Sequence, residues 1–498
     1  MNRPSIGPAP PPPLWQRRSV VFAALALVFL ASRMAYAMAG VRFDWDPLRS
    51  SLALLDPELL RTDLFRSLLY LHSQPPLFNL FVGIVLKSFP ANPILVLRIL
   101  YLGMGLLMTF ALQETLSRLS VPRWLGLVLT VAVMISPATL LFENLLFYTY
   151  PVTLLLILSV LWLDSYLRSH HMKFAWLFFG TLGCIVLTRS LFHPLWYLVV
   201  AGAFISIQPR RQLLIAAAVP LFFIGAWSVK NVVLFGSANS STWLGMSLCK
   251  MVTVGVPRGE RADLVAEQKL SPYALRHPYE GLDEYRDVIP RRDSSGVPVL
   301  DIETRSTGNM NLNHIAYVEI SRHYLSDALV LIQAHPGLYC RGVAHALFIF
   351  FRPASEYVSF FANRPSVEPF DRNVNLILLG QTLYERPRFE ANEEPIDYPR
   401  QIQRTGIVIA LVYVAVMLWA LVKIWRCFRS SSAITPRCIL TVFLFSTILY
   451  VAVVGNMLEI GENCRFRFMV DPLFIMLLAL ALSGIFGRRR VLGTTESP

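Results

Sequence analysis

The sequence predicts an all-α, polytopic membrane protein. Three observations carry this. The chain of 498 residues is 55% hydrophobic and only 15% charged, too apolar for a water-soluble globule. Its apolar residues come in long runs without hairpin turn chemistry, so helices are expected and a β-barrel is not. Its 45 Lys and Arg residues, behind a net charge of +13, gather at the ends of those runs, as a positive-inside bias gives. No basic patch interleaved with aromatics lies beyond those ends, so nucleic acid is not an expected partner.

The elements follow in order. Residues 1–18 hold Pro8 and Pro10 to Pro13 and read as a disordered cytoplasmic tail. A first span covers 19–40 and runs outward. Ala35-Tyr36-Ala37-Met38-Ala39 has the form of a signal-peptidase site, but the length of the apolar run favours an uncleaved span. The first outer loop, 41–90, ends in a short apolar stretch, Pro76 to Phe89, well below the roughly 20 residues that crossing requires. It reads as a helix at the outer interface, with Pro75 and Pro76 in its first turn. Arg118 and Arg123 then face the cytoplasm.

Further spans are expected at 94–116, 124–142 and 151–166, in a stretch ending at Leu187, from Pro194 onward, and at 213–229. The segment 232–400 is the only extensive polar region and reads as extracytoplasmic. Within it, Ile315, Val318, Ile320, Leu325, Leu329 and Ile332 recur at helical spacing. This predicts an interfacial helix over Asn313 to Phe351, ended by Arg352-Pro353. Spans at 404–425, 437–457 and 468–486 close the chain before a cytoplasmic tail, 488–498. The sum is about ten spans with both termini cytoplasmic. The six cysteines have no CxxC spacing, so neither a zinc site nor a disulfide framework is expected. Cys249–Cys340 is the pair that an oxidising compartment would permit.

On this topology the candidate chemistry collects at the outer ends of the spans. Asp44, Asp46, His72, Gln74, Glu143, Arg189, Lys230, Asn231, Glu462, Arg465 and Arg467 all lie there, whereas the cytoplasmic ends are mainly basic. A carboxylate beside several cations suits group transfer from an anionic lipid carrier. The carboxylate would take the proton of an acceptor hydroxyl, and the cations would stabilise the departing phosphate. Interfacial anchoring or a salt bridge suits any one of these residues equally well.

Four segments resemble the polyprenyl-phosphate-sugar-dependent glycosyltransferases of the GT-C fold, the broad group with protein O-mannosyltransferases and lipid A aminoarabinose transferases. They are Phe43-Asp44-Trp45-Asp46 after the first span, His72-Ser73-Gln74-Pro75-Pro76-Leu77-Phe78-Asn79, the span exit from Trp227 through Lys230-Asn231 to Phe235-Gly236, and Gly461-Glu462-Asn463-Cys464-Arg465-Phe466-Arg467 followed by Pro472. The resemblance implies a GT-C-like bundle and inverting transfer of a sugar to a glycan, lipid or protein acceptor on the extracytoplasmic side. It makes the first-loop acid the catalytic base, a role that Asp44 and Asp46 fit alike. It matches Glu143 to an acid that binds metal or orients the acceptor in relatives. Arg465 and Arg467 would contact the lipid-linked phosphate, with Lys230 and Arg189 as weaker candidates, and His72 would order the loop.

The Asp-Trp-Asp pair is compatible with a divalent metal, although the group shares no common metal requirement. A bacterial inner membrane is the expected location. The alternative function is a transporter or flippase of lipid-linked saccharide. That would call for polar residues at mid-membrane and a two-fold relation between halves, and neither is visible in the sequence.

Overall fold

The computed structural model describes residues 18–208, 210–253, 256–290, 293–379, 404–429 and 434–492. The expected disordered tail, most of it within 1–17, lies outside the described residues, as do 380–403 and 493–498. The described chain is helical, with two isolated β-bridges and no strand.

Seven helices are long and apolar enough to cross a membrane: Arg18–Met38, Pro93–Arg118, Thr149–Ser169, Arg211–Phe235, Gly406–Arg429, Pro436–Leu458 and Asn463–Gly484. An eighth span results if Arg123–Ile135 and Pro137–Glu143 count as one, bent by 53° between them. The bend has a local cause. Pro137 cannot continue the ladder of the preceding helix, and Ser136 caps the new one by accepting the Thr139 N–H at 3.2 Å. The protein is therefore an all-α membrane protein, and among the described residues seven or eight helices have crossing length, against about ten spans expected. The remaining two expected spans are Met172–Thr188, with 17 residues, and Pro194–Ile207, with 14. At 1.5 Å per residue they reach only about 26 Å and 21 Å, against a hydrocarbon core of about 30 Å.

The bundle is centred on Thr149–Ser169. This helix is the most enclosed of the seven and packs against 93–118, 172–188, 436–458 and 463–492. The first span, 211–235 and 404–429 lie at the periphery, with most of their surface turned outward. That fits lipid contact around a protein-packed centre.

We call the face carrying the polar segment the outer face. Leu77–Ser88 starts right after Pro76 and buries Phe78, Asn79, Val82, Val85 and Leu86, as expected of a short helix lying in the protein surface. The polar segment has a second apolar core of its own, built on Met246, Cys249, Tyr285, Tyr317, Ile320 and Tyr324. The single helix expected over 313–351 is two, Ala316–Ala334 and Pro336–Phe350. Pro336 supplies no N–H, and its ring disfavours helical backbone at His335, which sits at φ −134°.

The cysteines also differ from expectation. Cys427 and Cys438 are joined across the 404–429/436–458 hairpin, whereas Cys249 and Cys340 are free.

Candidate functional site

The loop after the first span is held by its neighbour. Asp44 forms a parallel β-bridge with Leu145: its N–H donates to Asn144 O at 2.7 Å, and its carbonyl accepts the Leu146 N–H at 2.9 Å. This places Asp44 alongside the second outer loop, close to the aromatic run Phe147-Tyr148. The Asp44 carboxylate is half-buried and accepts the backbone N–H of Asp46 at 3.0 Å. Burial pushes its carboxyl above the ordinary range, with the Asp46 N–H acting in the opposite sense. The Asp46 carboxylate is exposed and accepts the Ser50 hydroxyl at 2.8 Å.

Two guanidinium groups converge on Tyr148. Arg189 sits at the end of Met172–Thr188 and donates to the Tyr148 hydroxyl. Arg465, in the first turn of the last helix, donates to the same hydroxyl at 3.3 Å. Both are buried. Aromatic rings enclose them: Tyr148 and Phe466 lie 4.6 and 4.8 Å from Arg189, and Phe147 and Tyr357 lie 4.8 and 5.2 Å from Arg465. Among the described residues the one carboxylate paired with them is Glu462, which accepts from Arg465 and from the Tyr357 hydroxyl. Burial alone would raise the Glu462 carboxyl. The charges of Arg465, Lys250 and Arg189 outweigh it and hold the group below the ordinary range. The Nε atoms of Arg189 and Arg465 are buried without a hydrogen-bond partner.

Lys250 joins from the polar segment. It pairs with Glu459 at 3.5 Å, beside a Ser247 hydroxyl that donates to Glu459 at 2.7 Å and meets the Tyr279 hydroxyl at 2.6 Å. Ser247 and Lys250 are three apart on Leu244–Thr253, so they share a helix face. The result is an aromatic-walled cluster of three cations and two carboxylates, in which Arg189 and Arg465 are buried and Lys250, Glu459 and Glu462 are partly exposed, with Asp44 held on the adjoining loop.

The other expected residues have different surroundings. Glu143 accepts from Arg33 at 2.9 and 2.6 Å and from the Tyr150 hydroxyl at 2.7 Å, a closed buried pair between the first span and the second outer loop. His72 is fully buried. Its Nε2 lies 3.0 Å from Asn313 O, which can only accept, so that nitrogen carries the proton and Nδ1 accepts from the Thr242 hydroxyl at 2.8 Å. Burial pushes the imidazole down to about 3, so it is neutral and fastens the loop to the polar segment. Gln74, two residues further along, is buried as well.

Lys230 donates to Leu71 O at 2.6 Å and lies 3.5 Å above the Trp227 ring. Asn231 donates to Asn239 O at 2.8 Å. Gly236 follows at φ +64°, where a Cβ would also meet Arg322 Nη2 at 2.7 Å, so glycine fits both the left-handed turn and the tight space. Arg467 donates to Arg352 O at 2.8 Å and Phe350 O at 3.2 Å and pairs with Asp471. Lys230, Asn231 and Arg467 thus hold chain segments together and share no bond with Arg189 or Arg465.

Sequence reading missed Tyr148, Tyr357, Lys250 and the Arg33 partner of Glu143. Arg33, a lone cation inside the first apolar run, was the available signal. Among the described residues no three His, Cys, Asp or Glu side chains gather as a metal site. No family model, curated protein or solved structure matches the chain.

Proposed function

We propose that the protein is a GT-C-like glycosyltransferase that moves a sugar from a polyprenyl-phosphate carrier to an acceptor hydroxyl, with inversion. The observation that carries this reading is the pair Arg189 and Arg465, buried around the Tyr148 hydroxyl with one spare N–H each. Among the described residues the two guanidiniums have one carboxylate partner, Glu462, so their charge is only half compensated, and planar N–H groups match phosphate oxygens. Their aromatic walls exclude water, which strengthens that attraction.

Asp44 takes the role of base in this reading. It is bridged to the loop that carries Tyr148, half-buried and with only a backbone N–H on its carboxylate, whereas the exposed Asp46 is occupied by Ser50. Asp44 accepts the acceptor's proton as the acceptor oxygen bonds to the anomeric carbon. The bond from that carbon to the phosphate oxygen breaks on the opposite face, and the phosphate dianion departs against Arg189 and Arg465. A phosphate leaves without a proton donor, so a second carboxylic acid is not required at the leaving group.

The test is transfer of radiolabelled sugar from membrane-embedded polyprenyl-phosphate donors by the purified protein. Wild type should transfer, and Asp44→Asn should not. If no donor is consumed while labelled carrier crosses the bilayer of the vesicles, the protein is a transporter of lipid-linked saccharide and the proposal fails.

A further inference from the structure

A cavity of about 400 Å³ lies at the opposite end of the bundle from the cluster around Tyr148. It sits where four helix ends meet: 93–118, 404–429, 436–458 and 463–492. Its walls are apolar, with Leu119, Trp419, Ile424 and Leu480, and its polar lining consists of hydroxyls and cations, Lys423 and Arg437 being the cations.

The charge balance here is one-sided. Three of the cations on this face have carboxylates. Arg18 and Arg118 share Glu114 at 2.7 and 2.6 Å, and Arg168 takes Asp164 at 2.8 Å. Among the described residues no carboxylate lies within ion-pair distance of Lys423 or Arg437. Arg437 gives one N–H to the Ser120 hydroxyl at 2.8 Å, and Lys423 lies 5.9 Å from the Trp419 ring centre. The 23-residue helix Pro436–Leu458 also begins in this wall, so the positive end of its dipole adds to the two side chains.

We propose that this cavity holds the phosphate headgroup of an anionic phospholipid from the leaflet on this face. Three features select a lipid over a free anion. The cations stand at span ends, at headgroup depth. The remaining wall is apolar and suits the first carbons of acyl chains. This is also the face that the positive-inside bias assigns to the cytoplasm, where anionic lipids are concentrated. The proposal does not depend on the glycosyltransferase reading.

The test uses the full-length protein in nanodiscs of phosphatidylcholine and phosphatidylglycerol in equal parts, with retained lipid counted by native mass spectrometry after release. Wild type should retain phosphatidylglycerol in preference to phosphatidylcholine. Lys423→Ala with Arg437→Ala should reduce that retention about tenfold or more, as expected for two near-surface cations. Lys173→Ala with Arg211→Ala removes the same charge elsewhere on this face and should leave retention unchanged. Lys423→Gln with Arg437→Gln removes the charge but keeps a polar, partly aliphatic side chain, and it replaces the alanine pair if that variant does not fold.

Equal loss in the cavity and control variants would mean diffuse attraction and would overturn the proposal. So would retention without preference for phosphatidylglycerol, or thermal stabilisation by inorganic phosphate in the absence of any from phosphatidylglycerol.

Discussion

Arg189 and Arg465 donate to one hydroxyl, that of Tyr148, which lies 41 residues from the first and 317 from the second along the chain. Two buried like charges around one neutral acceptor repel each other unless an anion lies between or beside them. Glu462 supplies one negative charge, and a phosphate would supply the next. Arg465→Ala or Arg189→Ala should therefore weaken donor use by about ten- to a hundredfold in kcat/KM, the loss expected for a charged hydrogen bond. Steady-state kinetics with varied lipid donor checks this. Unchanged donor dependence in a folded variant would remove these residues from the phosphate site.

Asp44 and Asp46 should separate cleanly. Asp44→Asn should lower turnover by about a hundredfold or more, in the range of a lost general base, without lowering donor binding. Asp46→Asn removes an exposed contact with Ser50 and should change turnover by about twofold at most, since exposed pairs contribute little. Single-turnover rates at saturating donor distinguish the two.

The Arg33–Glu143 pair is a stability element. Both side chains are buried, and either alone would be an uncompensated charge. Arg33→Ala should cost about 3–5 kcal/mol, the range for breaking a buried pair by removing one partner. Gly105→Ala should disturb the same pair, because its Cβ would fall 2.2 Å from Glu143 Oε2 and 2.6 Å from the Tyr150 hydroxyl. Thermal unfolding in detergent should show both variants melting well below wild type.

His72 should make the outer face acid-sensitive. Its folded value near 3 lies below the ordinary 6.5, so the folded state favours the neutral ring. The stabilisation is fully present above pH 6.5 and is lost as pH falls toward 3, at up to about 1.4 kcal/mol per pH unit. Hydrogen exchange at residues 70–74 and 311–314 should rise with acidification over that window. His72→Gln should flatten the dependence, and an unchanged profile would refute the assignment.

Cys427 and Cys438 test the orientation. Denatured, purified protein should show four free thiols before reduction and six after. If this hairpin faces a reducing cytoplasm, labelling in intact cells should count six. A count of four in cells would place the hairpin in an oxidising compartment and reverse the assigned orientation.

Much of the fold was legible because long apolar runs and their charged ends are local properties. The short helix after Pro76 was readable from proline, whereas the span expected to end at 229 runs on to Phe235 before Gly236. The breaks at Ser136–Pro137 and His335–Pro336 carried the same kind of signal, but apolar continuity outweighed it. The two short helices 172–188 and 194–207 read as spans because periodicity alone does not separate a buried helix from a crossing one. At the site, residue types at the outer ends were legible, but their pairings were not. Nothing near Glu143 in sequence points to Arg33, 110 residues earlier, and nothing near Arg465 points to Tyr148. Such contacts are fixed by packing across the bundle rather than by local pattern.

The fastening of the first outer loop sets an order of events during synthesis. The His72 N–H donates to Asn313 Oδ1 across 241 residues, and Arg305 donates to Ser51 O across 254. At about 5–20 residues per second, the ribosome needs roughly 12–50 s after making the loop before those partners emerge. Through that interval the first outer loop is without the partners that fasten it in the finished fold. The nascent chain is then exposed to quality-control proteases, and a chaperone that shields residues 50–75 would raise the yield of mature protein.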